Sequence, residues 1–434
     1  MINRKKPLDI KFPEEMVPAL KTGWMQTTRR YKVITPLWGG GVKANENDPI
    51  TLIRGSSIRG HLRFWWRALR GNSDEGTIIE MRRRENEIWG STKAPSQVKI
   101  SVRVTNAGTK FQPTNFKNES IQDVGAMNSK DAYVTFPLRL GKSDKQAGKS
   151  PAVLKENVEF NLELEYPDSL KDEVEAALWG WQTFGGIGAR TRRGMGAIEC
   201  THIDGVPQKP VARSDFDEYI RSNLNSWKQE GDFPVGVPHL SPRAVFKLTG
   251  SQNYQTWIEA LRNIIGQYKR FRQSRPGGGQ HPGRSHWPEP DLIKDCFPKK
   301  TFRHPPEHKV QGKAPRAVFG LPIIIKFKPY DYGEMQDPDE TTIQGVGKID
   351  RMASPLIIRP VHLAEGFAGL AVLLEWDPLN PHDEAYTPPG GLAVVQGKKV
   401  LYNPSTKLTP ADAMHIQPLN GNPNPSTKFI DSIY

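Results

Sequence analysis

The chain is poor in cysteine and has no long apolar run. Only two cysteines, Cys200 and Cys296, occur in 434 residues, which is too few for a disulfide framework and favours a reducing compartment. No stretch approaches the roughly 18–20 consecutive apolar residues of a membrane span. The first residues, MINRKKPLDI, lack the apolar core of a signal peptide. We therefore expect a cytoplasmic protein with no membrane partner.

Signatures of catalysis and of metal binding are also scarce. There is no GxSxG nucleophile elbow and no HExxH motif. Histidine and cysteine do cluster in one region, at His281, His286, Cys296, His304 and His308. That cluster has no second cysteine at CxxC spacing, and Pro305 and Pro306 prevent a helical histidine pair, so zinc is not expected. The sequence thus predicts no catalytic residue, no metal and no cofactor.

Positive charge, in contrast, is abundant. The chain carries 60 lysines and arginines against 47 acidic residues, a net charge of +13 with a pI near 9.5. Such a balance favours a polyanionic partner, most often nucleic acid. An anionic membrane surface is the alternative, but no basic helix flanked by a long apolar run is present. A length of 434 residues allows two or three domains with a sizeable core.

The segment RGSSIRGHLRFWWRALRG, residues 54–71, holds five arginines and no acid. On a helix from Ser57 it divides into an apolar stripe of Ile58, Leu62, Trp65 and Leu69 and a neighbouring stripe of Arg59, Arg63, Arg67 and Arg70. Arginines four residues apart repel one another, so a row without an acid suits a chain of phosphates. Arg54 and Ser56 lie at the helix entrance, where unpaired N–H groups attract anions. The alternative is a solvated face of an ordinary amphipathic helix.

A glycine-rich segment with interleaved arginines, FGGIGARTRRGMG at residues 184–196, is the second basic motif. Its glycines permit close approach to a ligand, and its arginines supply charge. The residues concerned are Gly185, Gly186, Gly188, Arg190, Arg192 and Arg193. The spacing matches neither the GxxxxGK[ST] loop nor a GxGxxG turn, so a nucleic-acid backbone is a more natural partner than a nucleotide cofactor. A tight helix-to-strand turn with exposed arginines is the alternative.

Much of the net charge lies in one region, residues 262–316, which has 13 lysines and arginines against four acids. Aromatic residues among basic ones, as in 268–279 and 283–291, suit stacking and phosphate contact with single-stranded nucleic acid. The candidate contacts there are Arg270, Arg272, Arg284 and Trp287. The alternative is a long flexible basic loop without a fixed contact.

The pattern of elements predicts an α+β fold. In the first half, alternating or β-branched segments predict strands at 29–38, 98–104, 158–166 and 195–203. The arginine-rich helix follows the first strand, and a second helix begins at Ser169, with Asp172 as the partner in a capping box. The order βαββαβ is that of the ferredoxin-like arrangement.

The second half is less regular. We expect a first domain over 1–204, a connection over 205–240 and a second domain over 241–434. Strands are predicted at 244–248, 317–327 and 368–376, and a helix at 254–273. Residues 273–316 should form a loop, and the tail after Asp377 is rich in proline and asparagine, with little periodicity. A second, degenerate ferredoxin-like unit would fit this half.

Together these segments resemble the RAMP superfamily of CRISPR proteins and, more narrowly, the first Cmr subunit of type III-B effector complexes. The resemblance rests on TPLWGGG (35–41), RGSSIRGHLRFWWRALRG (54–71), WGWQTFGGIGARTRRGMGAI (179–198), GRSHWPEPD (283–291), FGLPI (319–323) and ASPLIIRP (353–360). The glycine-rich loop after the second helix is the mark of the superfamily. The match extends over about residues 30–360 and does not include the tail.

The resemblance implies two ferredoxin-like domains packed together, with long loop insertions, in a multi-subunit ribonucleoprotein of antiviral defence. The subunit would lie at the end that holds the 3′ part of the guide RNA and the facing target RNA, beside other Cmr-type RAMP subunits. In that family a different, repeated subunit cuts the target RNA. This chain would therefore bind and cap rather than cleave.

Carried onto this chain, the resemblance implies that the arginine-rich helix and the glycine-rich loop line the RNA path. No aromatic RNP-type motif falls on a strand, so RNA should not stack across the open sheet. One alternative is a metal-independent RAMP endoribonuclease that processes guide-RNA precursors, with His61 as general acid or base. Another is a bridging subunit that contacts protein alone, although interface cores are normally depleted in lysine.

Overall fold

The computed structural model describes residues 21–41, 46–48, 50–111, 114–117, 120–123, 132–135, 154–277, 283–302, 304–327, 337–347, 350–375 and 391–434. This part of the chain combines helices with antiparallel sheets, so the predicted α+β class is confirmed. None of the helices within these ranges has the length and apolar character needed to cross a bilayer.

The elements are numbered in chain order. The helices are α1 (Gly55–Arg70), α2 (Ile78–Trp89), α3 (Ala132–Thr135), α4 (Lys171–Phe184), α5 (Phe216–Ser226), α6 (Trp257–Arg272), α7 (Glu289–Asp295), α8 (Pro410–Met414) and α9 (Pro425–Asp431). The strands are β1 (Trp24–Val33), β2 (Lys99–Phe111), β3 (Thr114–Lys117), β4 (Ser120–Asp123), β5 (Leu154–Pro167), β6 (Ile198–Ile203), β7 (Val206–Pro207), β8 (Val245–Leu248), β9 (Ile323–Ile325), β10 (Thr341–Gly345), β11 (Leu356–Leu363), β12 (Gly366–Leu373), β13 (Leu392–Gln396) and β14 (Lys399–Tyr402).

The first sheet has the strand order β2-β5-β1-β6-β7, with antiparallel neighbours throughout. Its central strand is β1, in which Tyr31 pairs with Phe160 of β5. The Tyr31 ring lies 5.2 Å from the ring of Trp181, so α4 covers this face of the sheet. Gly180 lets α4 approach α1 closely, because a Cβ there would lie 2.6 Å from Cδ1 of Leu69.

Two further sheets lie in the second half. One has the order β11-β12-β8 and the other the order β14-β13-β10-β9, again with antiparallel neighbours. Helix α6 packs on the three-stranded sheet at Gly369, where a Cβ would lie 2.7 Å from that of Ile264. On its other side, Tyr268 and Phe271 pack against Phe429 of α9, with ring centroids 5.1 and 5.5 Å apart. The C-terminal helix is therefore part of the core.

The structure corrects several predicted boundaries in the first half. Strand β1 ends at Val33, before the predicted strand does, because Pro36 has no N–H with which to continue the ladder. Residues 168–170 form a 3₁₀ turn, and the predicted capping box at Ser169 is absent from the start of α4. Helix α2 was not predicted at all. A capping box does begin α6, where Thr256 and Glu259 exchange hydrogen bonds.

The region 273–316 and the tail contain more regular structure than predicted. Helix α7 interrupts the first, and a 3₁₀ turn at Pro315–Phe319 replaces the start of the strand predicted at 317–327. The tail supplies β13, β14, α8 and α9. Asn424 starts α9, because its side chain accepts hydrogen bonds from the N–H groups of Ser426 and Thr427.

The two halves are in contact through a region that we call the seam: β11, α6 and the Pro315–Phe319 turn against β6 and the loop 184–196. Arg359 of β11 is buried there. Its guanidinium donates to the carbonyls of Gln182, Gly185 and Ile198 at 3.1, 2.6 and 2.9 Å. Residues of both halves also share one hydrophobic cluster. The boundaries at 204 and 240 stay a prediction.

Candidate nucleic-acid interface

Three of the basic or glycine-rich motifs meet on one side of the first half. The N–H of Ala189 in the loop 184–196 donates to the carbonyl of Trp38 at 2.7 Å. The guanidinium of Arg192 lies 5.3 Å from the ring centroid of Phe64 on α1. We call the assembly of α1, residues 39–41 and the loop 184–196 the arginine–glycine surface.

The arginines of α1 have acidic partners, which the segment alone did not suggest. Arg63 donates to Oε1 of Glu85 on α2 at 2.7 Å, and Arg67 donates to the same oxygen. Arg70 forms an ion pair with Glu173 of α4 at 2.8 Å. These acids lie 18 to 103 residues away along the chain, so the expectation of a row without acid partners was wrong.

Positive charge nevertheless exceeds negative charge along this row. Among the described residues, Arg59 donates to carbonyls and to no acid, and the nearer carbonyl is that of Val98 at 2.9 Å. Burial, together with the charge of Arg63, lowers the pKa of Arg59. The side chains of Arg63 and Arg67 are 30% exposed and that of Glu85 is 6% exposed. An anion that approaches from solvent would therefore meet guanidinium groups before it met the acid.

The entrance of α1 adds to this positive potential. Arg54 is the N-cap residue, its side chain makes no capping bond, and the first turn contains no acid. Its Nη2 donates instead to the carbonyl of Gly41 at 3.5 Å. Ser56 is exposed in the first turn, and Gly60, one turn on, has open space around it. The first N–H groups of a helix attract anions, so this end suits a phosphate.

The glycines of the loop accommodate the protein's own backbone. A Cβ at Gly185 would lie 2.5 Å from the Trp181 carbonyl oxygen, and one at Gly188 would lie 2.5 Å from that of Trp38. A Cβ at Gly186 would lie 2.6 Å from the carbonyl oxygen of Gly196. Gly185 and Gly186 are buried, so their close approach in this structure is to protein; Gly188 is half-buried at the edge.

The side chains of two arginines of the loop 184–196 bond to residues of the second half across the seam. Arg192 donates to the carbonyl of Ser354, and burial, reinforced by the charge of Arg193, lowers the pKa of Arg192 to about 10. Arg193 donates to the carbonyl of Leu356 at 2.9 Å, and its guanidinium lies 5.0 Å from the ring centroid of Tyr268. Neither arginine forms an ion pair with an acid in the described ranges.

Arg190 and Arg272 approach α3 from the two halves. Arg190 donates to the carbonyl of Val134 at 3.4 Å and has a left-handed backbone, with a φ of 63°. Arg272 donates to the hydroxyl of Tyr133 at 2.9 Å. The structure therefore brings Arg272 to the loop arginines, although the two segments lie about 80 residues apart in sequence.

The other second-half candidates are placed differently. Arg270 is exposed and donates to the hydroxyl of Tyr434 at 2.7 Å. Arg284 forms an ion pair with Glu307 at 3.0 Å. Trp287 is 1% exposed, and its indole N–H donates to a main-chain carbonyl at 3.0 Å. In this conformation the indole is a core side chain and offers no face to a base.

His61 lies on α1 and faces α4. Its ring is 6.3 Å from that of Trp181, nearly parallel to it at 13°. Burial lowers the pKa of His61 to about 4, so the imidazole is neutral at pH 7. A neutral imidazole can accept a proton, but acid–base catalysis also needs a second proton-transferring group within reach.

The histidines near residue 300 bond to the protein itself. Nδ1 of His286 contacts Oγ of Ser274 at 2.8 Å, and Nε2 of His308 contacts the carbonyl of His286 at 3.2 Å. His281 lies outside the described residues. Within the ranges that are described, no three side chains of His, Cys, Asp and Glu come together as a group that could hold a metal ion.

Sequence reasoning missed two residues that shape this surface, Glu85 and Arg359. Glu85 lies within IIEMRRRENEIW, where a charged segment conceals the buried stripe of Met81, Glu85 and Ile88. Arg359 left a clearer signal, because it is the one charged residue in the apolar segment ASPLIIRP. A charge in such a segment is buried only when the fold supplies partners.

Parts of the chain are similar in sequence to known proteins. Residues 30–199 match the family model described as the RAMP superfamily. The chain is 29% identical over 149 residues to CRISPR system Cmr subunit Cmr1-1 of Pyrococcus furiosus, which is 34% of this chain and 40% of that protein. It is 26% identical over 175 residues to Cmr subunit Cmr1-2 of the same organism, which is 39% of this chain and 91% of that protein. The first alignment thus spans less than half of the relative's length.

A solved structure extends the likeness to most of the chain. The crystal structure of Cmr1 from Pyrococcus furiosus in its apo form aligns with a TM-score of 0.51 at 19% identity. The alignment covers 91% of this chain and 96% of that one. The fold is therefore similar to that of Cmr1, and the resemblance to the RAMP superfamily and its first Cmr subunit is confirmed.

Proposed function

We propose that this chain is an RNA-binding RAMP subunit of a type III-B (Cmr) CRISPR interference complex. The observation that carries the proposal is the arginine–glycine surface. There Arg63 and Arg67 share the Glu85 carboxylate, and Arg59 bonds to main-chain carbonyls. Beside them lies a loop whose Arg192 and Arg193 have no acid partner among the described residues. Such uncompensated guanidinium groups suit phosphates, which accept bidentate hydrogen bonds. The similarity to Cmr1 supports the assignment to this complex.

The proposed partners are the 3′ part of the guide RNA, the facing target RNA and other Cmr-type RAMP subunits. In this arrangement the chain caps one end of the complex. The RNA path runs over the arginine–glycine surface, along Arg54, Ser56, Arg59, Arg63, Arg67, Gly188, Arg190, Arg192 and Arg193, and reaches Arg272 across the seam. Arg270 and Arg284 extend it as surface charges. The buried Trp287, Gly185 and Gly186 support the path from beneath it.

The proposed role is binding without catalysis. His61 is neutral at pH 7 and stacks on Trp181, and the hydrogen bonds described for the surface provide it with no proton-transferring partner. The alternative is a metal-independent RAMP endoribonuclease. It would use the same histidine as a base, so one experiment addresses both functions.

The fold is proposed to consist of two ferredoxin-like units. In the first, the strand order β2-β5-β1-β6 with all neighbours antiparallel supports the βαββαβ reading. In the second unit, the sheet order β11-β12-β8 is the order that the second, third and first strands of a ferredoxin-like sheet have. A fourth strand is not among the described members of that sheet. This supports a degenerate second copy.

The experiment is an incubation of the purified chain with 5′-labelled single-stranded RNA in EDTA, resolved on paired native and denaturing gels. A shifted and intact RNA is expected. Discrete cleavage without metal would replace the proposal by the endoribonuclease, and His61→Ala would then abolish it. To test the capping role, a guide RNA is compared with a version shortened at its 3′ end, and the shortened guide should recruit the chain to the complex less well.

A further inference from the structure

Five side chains from three separate segments surround one point of the seam: Arg190, Arg193, Arg272, Tyr133 and Tyr268. Arg272 donates to the Tyr133 hydroxyl at 2.9 Å, and Arg193 donates to that of Tyr268 at 3.3 Å. The two phenol rings meet edge to face, with centroids 5.8 Å apart. Arg190 reaches the same helix, α3, through its contact with the Val134 carbonyl.

Among the described residues, no acid forms an ion pair with Arg190, Arg193 or Arg272. The arginines there bond only to hydroxyl and carbonyl oxygens. Burial lowers the pKa of Arg272, but Tyr268, Tyr133 and the Glu289 carboxylate outweigh it and raise that pKa. Arg316 bonds the same carboxylate, with its N–H at 2.7 Å and its Nε at 2.8 Å. The Nε atoms of Arg190 and Arg272 are buried without a hydrogen-bond partner. Donors buried in this way are unfavourable and rare in folded proteins.

Of the three arginines, Arg190 has the least favourable surroundings. Burial and the nearby charge of Arg193 lower its pKa, which means that the cation is disfavoured where it lies. Its backbone is left-handed, which is uncommon for a residue other than glycine, asparagine or aspartate. The one hydrogen bond described for its side chain is long, at 3.4 Å. Such a residue adds little to folding, and unfavourable features of this kind cluster at ligand sites.

The geometry points to a binding site for one phosphate group at the seam, held by Arg190 and Arg272 and lined by Arg193 and Tyr133. The inference rests on the proposed function, in which that group is a phosphate of single-stranded RNA, and adds a site inside the seam to the path on the surface. A phosphate there would pair the free Nε donors of both halves at once. RNA binding would therefore fasten the two halves together.

The test compares the full chain with Arg190→Gln by thermal unfolding, with inorganic pyrophosphate and with sodium chloride of equal ionic strength. Pyrophosphate should raise the Tm of the wild type by a few degrees at about 100-fold excess over its Kd and should leave that of Arg190→Gln unchanged. Without ligand, Arg190→Gln should unfold at the same temperature as the wild type or above it, because a repulsion is removed. A purely structural arginine would show the opposite sign.

Lys269→Gln is the matched control, since Lys269 is an exposed basic residue on the same helix as Arg272 and belongs neither to this cluster nor to the proposed RNA path. It should keep the pyrophosphate response in full. An equal rise of Tm in Arg190→Gln and wild type would overturn the site. So would a lower Tm of unliganded Arg190→Gln together with a retained response.

Single-stranded RNA, titrated by fluorescence anisotropy at several salt concentrations, separates this inference from the proposed function. Loss of roughly 0.7 from the log–log salt slope in Arg190→Gln supports an RNA phosphate in the seam. An unchanged slope with normal RNA affinity overturns the seam site and leaves the proposed function standing. If pyrophosphate binds and RNA does not, the phosphate site is supported and the RNA source is overturned.

Discussion

The Nε–H of Arg63 donates to Oε1 of Glu85 at 2.7 Å, and this contact joins the arginine-rich helix α1 to α2. Arg67 donates to the same oxygen, so one carboxylate holds two guanidinium groups in place. The arrangement fixes the spacing of the arginines in the absence of a ligand. It also makes Glu85 a competitor of any phosphate, since both are anions that bind the same donors.

Replacing this acid should separate stability from RNA binding. Glu85→Gln is expected to lower the free energy of unfolding by about 1–3 kcal/mol, because charge-assisted hydrogen bonds are lost at a buried position. The same change should tighten RNA binding and steepen its salt dependence, because two guanidinium groups are released. Urea unfolding and anisotropy titrations measure the two effects.

Glu87→Gln on the same helix is the control, because Glu87 is exposed and its partner among the described residues is the exposed Arg83. Exposed pairs contribute about 0–1 kcal/mol, so little change is expected in either measurement. Weaker RNA binding by Glu85→Gln at equal folded fraction would contradict the proposed path over α1.

The arginine row itself should determine the salt dependence of binding. In Arg59/Arg63/Arg67→Gln the log–log slope for single-stranded RNA should flatten by about 2, from roughly 0.7 per phosphate contact. The slope is a better readout than affinity, since these arginines also hold α2 and the variant will be less stable. Arg83→Gln, which removes a surface arginine of α2, should leave the slope as it is. An unchanged slope in the triple variant would remove α1 from the RNA path.

A methyl group at Gly188 should be poorly tolerated. Gly188→Ala forces a left-handed residue with a φ of 82° to carry a Cβ that lies 2.5 Å from the carbonyl oxygen of Trp38. The free energy of unfolding should fall by about 1–3 kcal/mol. Gly60→Ala, in the interior of α1 with open space around it, should instead gain about 0.5–1 kcal/mol. Chemical unfolding of both variants checks the contrast, and equal effects would argue against the described loop geometry.

Stability should fall as the pH falls from about 6.5 to about 4. Burial lowers the pKa of His61 to about 4, below its ordinary value of 6.5. The unfolded chain therefore takes up a proton in this window before the folded chain does, and the equilibrium moves toward unfolding. Above about pH 6.5 this contribution is constant. His61→Gln should reduce the slope of unfolding free energy against pH in that window, and an identical slope would show that His61 is not buried as described.

Local sequence patterns predicted those helices and strands that need only an apolar surface to pack against. The alternation in 158–166 predicted β5, and the apolar stripe of α1 predicted which face is buried, since Ile58, Leu62, Trp65 and Leu69 are all in the core. These signals depend only on which side of an element meets apolar surface. The β1 boundary was misplaced where Pro36 ends the ladder.

The features that were missed depend on specific distant partners. The buried face of α2 contains Glu85, and only the position of Arg63 and Arg67 in space explains an acid there. The glycines of 184–196 indicated that some group approaches the loop closely, but they did not indicate which group. The structure shows that carbonyl groups of the protein itself do so. Trp287 looked like a stacking residue beside arginines, yet the neighbouring helix covers it. The tail has weak periodicity, and α9 is set by its Asn424 cap and by contact with α6.

Arg359 joins the two halves through hydrogen bonds to the main chain, so these bonds do not depend on the side chains of the residues that accept them. Every acceptor described for its guanidinium is a main-chain carbonyl, so this anchor depends on the backbone course of α4 and β6 and not on the side chains of Gln182 and Ile198. A chimaera that joins this second half to the first half of a relative would need to preserve this arginine and the backbone path that it meets, together with the apolar residues that the two halves share.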